Sequence, residues 1–399
     1  MLLSALPLVL TSDIVRPLKI QSPRSFATRK YRNAFRDLGK GNAAIIAKLD
    51  KAWRQLFYGD DAIQRVYYPV GSNMAYIKDV GNDDVRTEGM SYGMMIAVQL
   101  GHREEFDRLW RWAKRYMRYA DGPYKGFFAW QCDTSGNVRG MTPASDGEEY
   151  FATALFFAAG RWGDKTYRKE ADTILHAMRE GKRIVPGTAM FDPTAKQVVF
   201  VPSGDAAKFT DPSYHLPAFY ELWARWAEED RPFWKEAATK SRELLRCAAY
   251  PTTGLYPDYS GFDGKPQKAP WDPQSTNDRF GSDAFRVGGN LAMDWLWFGK
   301  DPWQVEQSNR MLTFLATQKP AYVSGYTLDG KPTVAYQSGG HVAMNAVAAM
   351  AASSKDAPAF IEALWNAPVP SGQWRYYDGL LYLFGLLHAS GQYRIWTPK

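Results

Sequence analysis

The chain has 399 residues, 45% of them hydrophobic and 23% charged, and no run of ~18 apolar residues that would cross a bilayer. Its formal net charge is +7, but Lys and Arg are scattered, with no run of five and no nucleic-acid motif, so the excess reads as a solvated surface and excludes an obvious polyanion-binding face. Fifteen Trp, 23 Tyr and 21 Phe exceed what a core of this size needs, and some of these rings are expected to face a ligand.

Residues 1–27 open with MLLSALPLVLTSD, a short apolar run without a basic leader or a clear small-residue cleavage site. It reads either as the remnant of an export signal or as a segment that packs on the domain. Over 28–399 the apolar periodicity predicts about a dozen helices of two alternating kinds and few strands. The stretch 41–57 is amphipathic, whereas 88–100 is apolar nearly all round and must be buried on most sides. In HREEFDRLWRWAKRYMRY, spanning a predicted helix over 103–118, Phe106, Leu109, Ala113 and Tyr116 share one stripe and charges occupy the other face. The alternation then repeats: buried 146–160 and amphipathic 165–179, then 213–228 and 232–249, 284–298 and 303–317, 338–352 and 356–366, and a last buried helix over 375–389.

Six buried helices alternating with six amphipathic ones predict a single all-α domain over 28–399: a six-hairpin (α/α)6 barrel, or toroid, with the apolar set inside. At roughly 33 residues per helix plus loop, twelve helices account for the whole chain. A plain helical solenoid would tend to show repeats, and none is visible. The loops ahead of the buried helices are long and rich in Gly, Pro and aromatics, as in GPYKGFFAWQCDTSGNVRGMTPAS, and all lie at the end where those helices begin. That rim is the expected functional site.

Acidic residues recur there: Thr87-Glu88, Ser145-Asp146, Asp211-Pro212, Ser282-Asp283 and Tyr377-Asp378. Each alone is explained by capping or by the helix dipole, Ser145 and Glu148 have capping-box spacing, and Asp211-Pro212 reads as a structural N-cap. Five acids converging on one aromatic-lined rim suit glycoside hydrolysis, in which one protonated carboxyl donates to the leaving oxygen and one carboxylate activates water or attacks the sugar.

TEGMSYGMMIAVQLG, SDGEEYFATALFFAAGRWGD, FTDPSYHLPAFYELWA and SDAFRVGGNLAMDW, with the closing RYYDGLLYLFGLLHASG, together resemble glycoside hydrolase family 8, and most of all its xylan-active branch, from about residue 75 onward. The resemblance implies an inverting hydrolase on an α/α barrel, with Glu88 as general acid, Asp283 as general base, Asp146 holding and distorting the sugar, and Tyr214 placing the water. By the resemblance and by loop position, Trp130, Arg286 and Tyr377 are expected along the sugar cleft, and His341, opening the fifth buried helix, is a further candidate contact. Tyr376 and Tyr377 are not separable at this stage. His102, His176 and His388 are read as packing or surface residues, and His215 as a support for Tyr214.

A helix N-terminus lowers a carboxylate's pKa, which works against Glu88 as a proton donor. Desolvation by Met90, Met94 and Met95, with an ionised Asp146 nearby, would raise it again. The reducing-end xylose-releasing exo-oligoxylanases of the family carry a Leu-His-Pro element that closes the cleft. GYTLDGKPTVAYQSGGHVAMNA lacks it, so endo cleavage of β-1,4-xylan is expected, with the exo activity as the alternative, followed by the cellulase, lichenase and chitosanase activities of the family. A polysaccharide lyase would need a Tyr/His/Arg/Asn constellation and a terpenoid cyclase an Asp-rich metal motif that Asn82-Asp83-Asp84 does not complete. A non-catalytic carbohydrate-binding protein would lack the acid or the base. The expected partner is xylan or a xylo-oligosaccharide, with no metal or organic cofactor, no nucleic acid and no membrane, and the chain is expected to be a monomer. A polymer substrate implies secretion or a periplasmic location, and oligosaccharide trimming a cytoplasmic one. Cys132 and Cys247 allow at most one bridge and leave their pairing open.

Overall fold

The computed structural model describes residues 24–179 and 189–398, so most of the predicted N-terminal segment, 1–27, lies outside the described residues. Two short helices, α1 (Ser25–Thr28) and α2 (Ala34–Asp37), lead into α3 (Asn42–Tyr58), whose buried Ile45, Leu49, Ala52, Trp53 and Leu56 form one stripe. Then come α4 (Thr87–Leu100), α5 (Arg103–Trp112), α6 (Ser145–Trp162), α7 (Lys165–Arg179), α8 (Pro217–Trp226), α9 (Arg231–Ala248), α10 (Phe285–Phe298), α11 (Trp303–Thr317), α12 (Gly339–Ala351), α13 (Ala357–Asn366) and α14 (Arg375–Ala389). The predicted alternation is present: α4, α6, α8, α10, α12 and α14 are buried along most of their length, and α3, α5, α7, α9, α11 and, least markedly, α13 leave one face partly exposed.

Two predicted helices are interrupted. The turn Ala113–Met117 is a π-helical continuation of α5. The helix predicted over 213–228 breaks into a 3-10 turn at Pro212–Tyr214 followed by α8, because Pro217 offers no N–H and disfavours helical backbone at the residue before it. The break leaves Tyr214 on a short turn at the mouth of the molecule instead of inside a helix.

Contacts run from each inner helix to the next. Tyr92 of α4 meets Tyr150 of α6 edge-on at 4.6 Å, and the Trp223 indole N–H of α8 donates to Thr153 Oγ1 of α6 at 3.0 Å. Phe219 of α8 faces Trp297 of α10, and Gly289 of α10 lies against Met344 of α12. Gly385 of α14 approaches so closely that a Cβ there would sit 2.9 Å from the Ala343 methyl of α12. Tyr92 also meets Phe384 of α14 at 5.0 Å. No helix among the described residues is long and apolar enough to cross a membrane.

Two small antiparallel sheets sit among the loops. Strands β1 (Tyr67–Val70) and β2 (Met74–Ile77) pair Tyr67 with Ile77. Strands β3 (Val85–Arg86), β4 (Gln131–Cys132) and β5 (Val138–Gly140) pair Val85 with Cys132, Arg86 with Gln131, and Gln131 with Gly140. The second sheet matters for the site: Arg86 runs directly into α4, and the Thr87 N–H donates to the Trp130 carbonyl at 3.0 Å, so Trp130 is fixed beside Glu88. The capping box predicted at Ser145 does not form. The Ser145 hydroxyl bonds the Val199 carbonyl, and Glu148 accepts from the Phe128 N–H across the helix interface. Cys132 is buried, Cys247 is exposed, and both are free thiols.

Candidate active site

Glu88 and Asp146 are the second residues of α4 and α6, and Asp283 stands two residues ahead of α10, so three of the segments leading into the apolar helices deliver their carboxylates to one site. Together with Trp130 and Tyr214 they line a cleft of about 550 Å³, a size ordinary for a small-molecule or sugar site. The far wall is aromatic: Phe200 stacks on Tyr214 at 5.7 Å and on the exposed Trp271 at 6.1 Å. On the other side the Trp130 indole lies over Gly140, where any Cβ would collide with it, and under the Arg86 guanidinium at 5.5 Å.

The residue that organises this cluster is Arg286, in the first turn of α10 and almost wholly buried. Its Nη1 donates to Glu88 Oε2 and Asp146 Oδ2, both at 3.0 Å, and to Tyr92 Oη at 2.8 Å. Its Nη2 donates to Ser213 Oγ at 2.7 Å and Asp283 Oδ1 at 3.2 Å, and lies 3.8 Å from Asp211 Oδ2. One cation thus faces four carboxyls, which cannot all carry full charge in so dry a place. The Glu88 carboxyl is raised to about 7, first by burial, against the pull of Arg286, and further by the charges of Asp146 and Asp283. Asp146, Asp211 and Asp258 are raised as well, in each case chiefly by burial. Asp283, with its side chain 31% exposed, is the most solvent-accessible of the four around Arg286.

The Tyr376 hydroxyl donates to Glu88 Oε1 at 3.0 Å, so Glu88 is held from two directions. Of the three methionines predicted to cover Glu88, Met90 turns its sulfur to the Ile77 N–H on β2. Tyr214 sits on the turn capped by Asp211, whose Oδ1 accepts from the Ser213 N–H at 2.6 Å, in keeping with Asp211 as an N-cap. Behind that turn His215 bridges Thr210 and Ser241 at 2.9 Å on each side, and burial pushes its pKa down to about 3, so it is a neutral brace.

Two predicted cleft residues, Arg286 and His341, are placed differently, and Tyr377 is half-buried beside the carboxylates. Arg286 was expected to touch sugar hydroxyls; it is buried against the carboxylates instead, its two terminal nitrogens donating to five protein acceptors. Tyr377 donates to the Ser282 carbonyl at 2.8 Å and so steadies the loop that carries Asp283. His341 is fully buried, stacked on Phe285 at 4.6 Å with Nδ1 on Ser324 Oγ at 3.1 Å, and does not reach the cleft. Asp378 bonds the start of the neighbouring α12, accepting from the Ser338 hydroxyl and the Gly339 and Gly340 N–H groups. Tyr92, Ser213 and Trp271 were missed, and of the unseparated pair Tyr376 and Tyr377 it is Tyr376 that bonds Glu88. Tyr92, four residues after Glu88 and therefore on the same helix face, was the one with a readable signal.

The chain matches the model of glycosyl hydrolases family 8 over residues 71–391. It is 46% identical over 386 residues to the reducing-end xylose-releasing exo-oligoxylanase Rex8A of Paenibacillus barcinonensis, covering 95% of this chain and 100% of that protein. It is 42% identical over 393 residues to the reducing-end xylose-releasing exo-oligoxylanase of Halalkalibacterium halodurans, covering 96% of this chain and 98% of the relative. Its fold superposes with a TM-score of 0.90 on a catalytic mutant of a xylanase from Teredinibacter turnerae in complex with xylohexaose, at 46% identity, over 94% of this chain and 100% of the other. By this match the chain belongs to the glycosyl hydrolases of family 8.

Proposed function

We propose that the chain hydrolyses β-1,4-linked xylo-oligosaccharides with inversion of configuration, at the open end of a closed (α/α)6 barrel. The observation that carries this reading is the single buried guanidinium of Arg286, which holds Glu88, Asp146 and Asp283 at the wall of one aromatic cleft. Glu88, raised to about 7, keeps a proton to give to the glycosidic oxygen. Asp283, the most exposed of the acids, takes a proton from the attacking water. Asp146 holds the sugar at the cleavage point, Tyr214 orients the water, and Trp130 stacks on a pyranose face. Arg286 fixes the spacing of the three carboxyls without entering the chemistry.

The reducing-end activity of the two named relatives favours release of xylose from the reducing end over the endo cleavage expected from the sequence. Endo cleavage stands as the second reading on one specific ground: Tyr336-Gln337-Ser338 leads into α12 without the Leu-His-Pro element, and Tyr336 is exposed there. Chromatography of a xylohexaose digest separates the two. Steady release of xylose with a single oligomer shortened by one unit is expected of the reducing-end activity, and a ladder of internal products of endo action. No cleavage of any β-1,4-xylo-oligosaccharide would overturn both.

A further inference from the structure

The chemistry above leaves unused a fully buried acid, Glu149, which lies one helical turn after Asp146 on α6. Its Oε1 makes a short contact with the hydroxyl of Tyr220 on α8, and its Oε2 has no partner among the described residues. The same hydroxyl lies 3.1 Å from the Tyr214 carbonyl. A phenol has one proton to give, and a carbonyl can only accept. If that proton goes to Tyr214, the proton between Glu149 and Tyr220 must come from Glu149. No cationic side chain among the described residues pairs with Glu149. A carboxylate with one bare oxygen in such a place would be far costlier than a neutral acid whose free oxygen is an ordinary carbonyl. Burial raises its pKa well above the usual range, in agreement.

We propose that Glu149 is a positioning residue: as a neutral acid it donates to Tyr220, Tyr220 donates to the Tyr214 carbonyl, and this chain of two hydrogen bonds ties the turn bearing Tyr214 to the helix bearing Asp146. The assignment rests on the functional reading above for the role of Tyr214. It makes the sugar-holding and water-placing residues move as one unit, although they lie on different hairpins.

Glu149→Leu and Tyr220→Phe are each expected to lower kcat on xylohexaose about tenfold, since small misplacements of a reacting group are expensive, with KM little changed. Glu149→Gln, whose amide can donate the same bond, recovers most of that loss. The double variant Glu149→Leu/Tyr220→Phe is no worse than either single one, because both break the same chain. An infrared difference spectrum at pH 8, wild type minus Glu149→Gln, is expected to show a protonated-carboxyl stretch. Tyr220→Phe folded with wild-type kcat, a Gln variant as impaired as the Leu variant, or absence of that infrared band would each overturn the proposal. A band present in a wild-type protein that cleaves no xylo-oligosaccharide would leave the hydrogen-bond chain standing and overturn the functional reading instead.

Discussion

Glu88→Gln is expected to lower kcat/KM on xylo-oligosaccharides by about 10²–10⁴-fold, the usual share of general acid catalysis, while oligosaccharide binding measured by calorimetry stays largely intact. The amide keeps the shape, and its one oxygen can still accept from Arg286 while its NH2 takes the place of the carboxyl oxygen that faces the Tyr376 hydroxyl, so the main loss is the transferable proton. An aryl xyloside with an acidic phenol, which leaves without protonation, should lose far less. The pH dependence follows with a definite sign. Glu88 works as the acid only while protonated, and its pKa in the folded protein is about 7, so wild-type kcat/KM falls as pH rises through about 7. In the Gln variant, assayed with the activated substrate, that alkaline limb should vanish. Full activity of Glu88→Gln on natural substrates would remove Glu88 from the role.

Arg286→Met should be the most damaging change to the fold around the site. Removing one partner of a buried ion pair costs about 3–5 kcal/mol because the other charge is left uncompensated, and here several carboxyls share the one guanidinium. The cost should grow with pH. Unfolded carboxyls titrate near ~4, whereas Glu88 and Asp146 are already raised in the folded state by burial and are held down chiefly by Arg286. Without the cation their folded pKa values climb further, so stability is lost progressively as pH rises above the unfolded values. Denaturant unfolding should therefore show a larger deficit at pH 8 than at pH 5, and any residual activity should have its alkaline limb displaced above pH 7. An equal deficit at both pH values would mean that Arg286 acts by packing and not by charge.

Most of the helical framework was legible because its cause is local. A 3.6-residue period written in Leu, Phe and Ala specifies a buried face wherever it occurs, and all twelve principal helices fall close to their predicted places. The split ahead of α8 was also written in the sequence, in Pro217, but a continuous apolar pattern masked it. The site divided differently. Glu88, Asp146 and Asp283 stand out as acids at the mouths of apolar helices, whereas Arg286 resembles any polar residue near a helix start until its five acceptors, from α4, α6, the 213 turn and its own loop, are brought together in space. An Arg in the first turn of a largely apolar helix was the available signal, since a buried charge must be paired. His341 and Asp378 misled because rim position does not fix side-chain direction: one packs under Phe285, and the other turns to the exposed N–H groups of a neighbouring helix.

Inversion is tested most directly by the anomeric proton NMR spectrum of the first products formed from xylohexaose, recorded before mutarotation. Water activated by Asp283 and attacking opposite the oxygen protonated by Glu88 turns the β linkage into an α reducing end. The α-anomer of the new reducing end is the expected first signal. A β-anomer appearing first would require a covalent glycosyl intermediate, with one of these carboxylates as its nucleophile, and would contradict the acid and base roles assigned to Glu88 and Asp283.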